Sequence, residues 1–202
     1  MKEYFYDKLL NIKTRGQQKG SLDSRDHHPY QPTSYNALEV LFQHYQLNSS
    51  DHVVDFGCGK GRLNFFIYYF YHAAVKGVEM NSILYDEAIR NRERYLNQTN
   101  EKTDKIHFQC CLAQNYQISP LDNRFYFFNP FSIGIFIEVI QNILCSHEQY
   151  TREIELIIYY GSDDYIDYLE NKTDFELREK IDLSAIFQDD PYDRFLIYRL
   201  EG

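Results

Sequence analysis

Two hydrophobic periodicities alternate along the chain. Short apolar runs at 53–56, 75–80, 105–110, 125–128 and 153–160 read as buried strands. Between them apolar residues recur every three to four positions, which predicts helices. Leu38, Leu41, Phe42 and Tyr45 precede the first run; Leu63, Phe66, Ile67, Phe70 and Ala74 follow it. Leu84, Ala88, Ile89 and Leu96 mark a helix over 82–97. Ile135, Phe136, Val139, Ile140 and Ile143 mark another over 132–147. A short helix is expected over 163–170, and one amphipathic turn at Phe5, Leu9 and Leu10. Strands over 175–182 and 194–200, joined through Asp189-Asp190-Pro191-Tyr192, close the chain. Strands alternating with helices imply an α/β fold with a parallel sheet. The run Phe125-Tyr126-Phe127-Phe128 has no polar alternation, as expected in the middle of such a sheet.

The strand at 53–56 runs straight into Gly57-Cys58-Gly59-Lys60-Gly61-Arg62, and a helix opens on the far side. Such a turn lies at the carboxyl edge of the sheet, where ligands of open α/β folds bind. Glycine lets a ligand approach the backbone closely. The second strand ends in Glu79-Met80, with Glu79 about 20 residues past Gly59, the distance at which an acid reaches a ribose hydroxyl. A dinucleotide fingerprint requires glycine at position 62, where Arg62 stands, and no P-loop is present.

Asp55-x-Gly57-x-Gly59-x-Gly61, in register with strand, helix, second strand and acid, resembles the first motif of the class I S-adenosylmethionine-dependent methyltransferases. The resemblance covers about 33–200. It implies a Rossmann-like seven-stranded mostly parallel sheet with helices on both faces and an antiparallel last strand. It sets residues 1–32 apart as an N-terminal extension or lid and 33–202 as the methyltransferase domain. The implied cofactor is S-adenosylmethionine. Gly57, Cys58, Gly59 and Gly61 would wrap its methionine part, Asp55 would orient the loop and the amino end, and Glu79, with Met80 beside it, would hold the ribose.

Tyr30-x-Pro32-Thr33 matches a frequent form of the family segment that folds over the cofactor, making Tyr30 and Thr33 candidates to reach cofactor or substrate. Equally, Thr33 or Ser34 reads as a helix cap and Tyr30 as a packing residue. After the third strand the family often carries an acid followed by alanine, for the adenine amino group. Register from Phe108 puts Leu112 at the acid and Ala113 at the alanine. Leu112 is then expected to pack on the adenine and Ala113 to read its edge through the backbone, with Asn115 replacing part of the lost hydrogen bond.

Asn129-Pro130-Phe131 partly matches the N/D-P-P-aromatic motif of methyltransferases that act on planar amino groups, with one proline instead of two. These three are the catalytic candidates: the Asn129 amide and a backbone carbonyl accept the amino protons, and the Phe131 ring stacks on the substrate. Asn129 is also expected to reach the cofactor. The same residues also read as a plain strand-to-helix turn. No histidine or carboxylate is placed as a general base.

A chain of 202 residues, 44% hydrophobic and 25% charged, suits one globular domain. Nineteen Tyr and 15 Phe without Trp imply many buried rings whose hydroxyls need partners. A net charge of −9 weighs against a nucleic-acid partner, and the absence of an inserted cap or RNA-binding module favours a small molecule or a protein side chain as the methyl acceptor. Arg90, Arg92 and Arg94 alternate with acids as on a solvated helix face. Cys58, Cys110, Cys111 and Cys145 form no C-x-x-C pair and read as reduced thiols. No signal peptide opens the chain and no apolar run is long enough for a membrane span, so a cytoplasmic location is expected. His27-His28 is the only histidine cluster, and no metal site is expected. The missing adenine acid also admits a non-catalytic S-adenosylmethionine-binding sensor or partner subunit. Arg62 disfavours a nicotinamide or flavin oxidoreductase.

Overall fold

The computed structural model describes residues 2–16, 30–187 and 190–202. Five parallel strands, β1 (His52–Phe56), β2 (Ala74–Glu79), β3 (Ile106–Cys110), β4 (Arg124–Phe128) and β5 (Ile154–Tyr159), belong to one seven-stranded sheet. With β6 (Glu176–Asp182) and β7 (Arg194–Leu200), the spatial order is β3-β2-β1-β4-β5-β7-β6. β7 lies antiparallel between β5 and β6. The helices are α1 (Lys2–Leu9), α2 (Tyr35–His44), α3 (Arg62–Tyr71), α4 (Ser82–Thr99), α5 (Ile133–Gln149) and α6 (Asp163–Lys172). This is the Rossmann-like architecture expected, and strand order reverses between β1 and β4, the switch point at which such sheets open a crevice.

The long apolar runs have a structural cause. Each central strand feeds two cores, one on each face, so both sets of alternating side chains are buried. On β4, Tyr126 points to a cluster with Tyr35, Leu38 and Phe66, whereas Phe125 and Phe127 point to a cluster with Phe136, Ile140 and Tyr165.

The helices differ from expectation most at the end of α3 and on the buried face of α4. α3 stops at Tyr71, because His72 turns left-handed at φ 53°, and Ala74 opens β2 instead of ending the helix. Phe70 is therefore exposed. On α4 the buried positions include Asn91 and Tyr95, while Ile89 and Leu96 are half-buried. Asn91 turns inward because its amide serves the backbone. Its Oδ1 accepts from Lys13 N at 2.9 Å and its Nδ2 donates to Lys60 O at 3.0 Å. Ser34, not Thr33, caps α2, accepting from Ala37 N at 3.2 Å.

The described N-terminal residues join the core. α1 packs on α2, and Leu10 and Ile12 are buried with Leu38 and Leu41, although Phe5 faces outward. Buried Asp7 accepts from Thr14 N (3.1 Å), Thr14 Oγ1 (2.6 Å) and Tyr35 Oη (2.9 Å). Most of the polar loop expected over 16–21, the 26–29 stretch with His27-His28, and Asp189 lie outside the described residues. No helix among the described residues is long and apolar enough to cross a membrane. All four cysteines are free, and no cluster of metal-ligating residues occurs among the described residues.

Candidate active site

The carboxyl ends of β1, β2, β4 and β5 surround a cavity of about 330 Å³. Its floor is the turn after β1. Asp55, Gly57 and Cys58 line it there, and Gly57 N donates to Val78 O at 2.9 Å, which ties the turn to β2. Gly57 has φ 78°, and a Cβ on it would sit 2.9 Å from the Pro130 ring. Only glycine lets the turn after β1 and the turn after β4 approach this closely.

Glu79, Met80 and Asn81 line the β2 side. The Glu79 carboxylate braces the turn: Oε2 accepts from Gly59 N at 2.9 Å and Oε1 from Asn81 N at 2.8 Å. Burial holds its carboxyl above the usual range, against the opposing pull of these backbone donors. A carboxylate offers about four acceptor sites, so acceptor capacity remains beyond these backbone donors.

Asp55 is 4% exposed, faces the cavity and has no hydrogen-bond partner among the described residues. Burial pushes its carboxyl up to about 8, and the charge of Glu79 adds to this. The folded value lies above the unfolded value of about 3.9, so the folded state holds a proton that the unfolded chain releases. The stability this contributes is complete below about pH 4 and is lost as pH rises through about 8. Wild-type stability should therefore fall between about pH 5 and about pH 8 relative to Asp55→Asn, by about 1.4 kcal/mol for each pH unit crossed. Chemical unfolding across this pH range would measure it. Parallel pH curves for the two proteins would show that Asp55 is ionised throughout.

Tyr30, Gln31, Pro32 and Thr33 cover the cavity. The Tyr30 ring fills the space a Gly59 side chain would need, 2.1 Å from an ideal Cβ, and its hydroxyl donates to Thr14 O at 2.7 Å. Thr33 Oγ1 lies 2.6 Å from Tyr126 Oη. At the far end stand Phe128, Asn129, Pro130, Phe131 and Tyr160. Asn129 and Tyr160 both have left-handed backbone, at φ 36° and 57°, and Tyr160 Oη donates to Asp190 at 2.6 Å.

Of the sequence candidates, Tyr30, Thr33, Asp55, Gly57, Cys58, Glu79, Met80, Ala113, Asn129, Pro130 and Phe131 line one cavity. Three do not. Gly59 is covered by Tyr30, and Gly61 closes the turn against Phe108 as the cap of α3. Leu112 is 38% exposed outside the cavity, and Cys111, whose N donates to Glu79 O at 3.2 Å, lines it instead. Asn115, in the 3₁₀ turn Ala113–Asn115, is exposed. Phe131 lines the wall but is 3% exposed, its ring set edge-on against Phe127 and its carbonyl accepting from Tyr165 Oη. The rings nearer the opening are Phe128 and Tyr160. Sequence reading passed over Tyr126, Phe128, Tyr160 and Arg62 as cavity residues. Period-two alternation back from Phe128 pointed to Tyr126, while nothing in the pattern marked Tyr160.

Residues 33–156 match a protein-family model described as a methyltransferase domain. No curated protein sequence matches the chain. Among solved structures it is similar to a Pyrococcus horikoshii protein described as a candidate RNA methyltransferase, with TM-score 0.60 and 14% identity over 100% of this chain and 98% of that one. An RNA methyltransferase from Salinibacter ruber, in complex with S-adenosyl-L-homocysteine, gives TM-score 0.56 and 16% identity over 84% and 91% of the two chains. A geranyl diphosphate C-methyltransferase from Streptomyces coelicolor gives TM-score 0.53 and 12% identity over 83% and 79%. At these identities the likeness is one of fold.

Proposed function

The chain belongs to the methyltransferase domain family, and we propose that its cavity presents the methyl group of S-adenosylmethionine to a planar amino nitrogen. The enzyme is an S-adenosylmethionine-dependent methyltransferase. The observation that carries the finer reading is the single cavity joining Asp55, Gly57 and Glu79 to Asn129 and Pro130. The residues present fit the cofactor: a backbone cradle at Gly57 that a Cβ would close, a cavity-facing carboxyl at Asp55, and spare acceptor directions on Glu79.

In this reading Glu79 accepts the ribose hydroxyls and Asp55 faces the ammonium. Residues 30–33 exclude water from above. The sulfonium supplies an already activated methyl group, so the chain's part is alignment and desolvation. Asn129 Oδ1 accepts an amino proton of the substrate and keeps the nitrogen lone pair directed into the cavity. Phe128 and Tyr160 provide the aromatic surface, with Phe131 as support behind.

The chemistry proposed is that of an aromatic amine. Two of the structures named above are described as RNA methyltransferases, so an exposed RNA base is the first acceptor to test. The net charge of −9 argues for few phosphate contacts. Transfer of labelled methyl from S-adenosylmethionine should be followed with folded RNA and with free aromatic amines side by side. Label on an exocyclic nitrogen is expected; label confined to carbon or oxygen would overturn the amino reading. Asn129→Ala should cut turnover far more than cofactor affinity, because alignment acts mainly on the transition state. Wild-type turnover, with stability lower by about 1 kcal/mol as for a lost cap, would reduce Asn129 to a turn residue.

A further inference from the structure

We propose that Arg62 binds the carboxylate at the methionine end of the cofactor, completing with Asp55 a site for a zwitterion. The assignment rests on the cofactor reading above. Arg62 stands where a dinucleotide fingerprint would have glycine, and it is 4% exposed. It lines the cavity, and it is the one cation among the described lining residues, against the carboxyls of Asp55 and Glu79.

Its guanidinium is fixed from one side only. Nε donates to Thr14 Oγ1 at 2.8 Å. Nη1 donates to Thr33 O at 3.1 Å and pairs with Glu3. The plane lies over the Tyr35 ring, 4.5 Å from its centroid. A guanidinium has five N–H donors. Three are engaged, and the two on Nη2 have no acceptor among the described residues. With Nε and Nη1 held rigid, the two N–H groups of Nη2 remain to donate charge-assisted hydrogen bonds to a carboxylate oxygen.

The second half of the site is joined to the first through short contacts. Thr33, whose carbonyl accepts from Arg62, has its hydroxyl 2.6 Å from Tyr126 Oη. Tyr126 is the register partner of Asp55 across β1 and β4. The cation and the carboxyl thus flank the Thr33–Tyr126 hydroxyl pair. An α-amino acid group carries its carboxylate and ammonium on neighbouring bonds and matches this arrangement of charges.

The test compares two ligands by calorimetry. One is S-adenosylhomocysteine; the other is S-(5′-adenosyl)-3-thiopropylamine, which keeps the ammonium and lacks only the carboxylate. Wild type should prefer the first by about tenfold or more, the scale of a charge-assisted hydrogen bond. Arg62→Met should remove that preference while leaving affinity for the amine nearly unchanged. Equal losses for both ligands, or no preference in wild type, would overturn the assignment, since a purely structural arginine affects both alike. Should Arg62→Met not fold, Arg62→Lys serves: it keeps the charge but loses the Nη2 donors held in place by Nε and Nη1, and the preference should shrink with the amine affinity intact. If wild type binds neither ligand, the cofactor reading itself fails and takes the assignment with it. That outcome differs from tight binding of both without discrimination.

Discussion

Glu79→Ala is expected to weaken S-adenosylhomocysteine binding roughly a hundredfold, because charged hydrogen bonds are worth about 1.5–3 kcal/mol each and the ribose offers two hydroxyls. The carboxylate acts twice. It presents spare lone pairs to the cavity, and it holds Gly59 N at 2.9 Å and Asn81 N at 2.8 Å, so its loss also loosens the turn and the start of α4. Glu79→Gln is the milder change, although its NH2 must face either Gly59 N or Asn81 N and so costs one of the two braces. It keeps the shape and one neutral oxygen, and affinity should fall only about tenfold. Calorimetry decides, with the unfolding midpoint as control. Unchanged affinity in Glu79→Ala would remove this residue from the cofactor site and with it the proposed orientation of the ligand.

A large loss of stability is expected from a single change at the opposite edge of the sheet. Glu155 on β5 is 3% exposed and gathers Tyr45 Oη at 2.6 Å and Arg199 Nε and Nη2 at 2.9 and 2.7 Å. Arg124 Nε lies 3.2 Å away without hydrogen-bond alignment, so that contact is electrostatic only. Removing one partner from a buried ionic group costs about 3–5 kcal/mol, since the remaining charges stay desolvated. Arg124 also reaches Asp51 and Glu153, at 3.4 and 3.0 Å, which places Glu155→Ala near the lower end of that range. The melting temperature should drop by roughly 6–12 °C for a domain of this size. Cofactor affinity should hold, because Glu155 starts β5 whereas the cavity lies at strand ends. A melting temperature within about 2 °C of wild type would show that Tyr45 and the two arginines are satisfied without it.

The alternation of periods was enough to reveal the sheet. The four inner parallel strands each feed two cores and leave apolar runs, and the antiparallel pair at the end appeared as two further runs around a polar link. The turn and Glu79 were legible because glycines and an acid at fixed offsets have few other uses. Helix faces were less legible where a polar side chain goes inward for the backbone's sake, as Asn91 does on α4. Leu112 was expected at the cavity and is not there, because the chain turns directly after Cys110 and brings Cys111 and Ala113 to it instead. In the local pattern Arg62 is only a missing glycine. Its partners Glu3, Thr14 and Thr33 are distant in sequence, and no local pattern announces such a gathering.

Tyr160 directly follows β5 with its backbone in the left-handed region, where a bulky L residue is a genuine outlier and strain runs to about 1–3 kcal/mol. Glycine would relieve that strain and remove the ring from the cavity mouth. The position therefore sits on a trade between endurance and work. Descendants of this chain propagated for heat resistance alone should drift to glycine at 160, whereas descendants held to methyl transfer should keep an aromatic ring there.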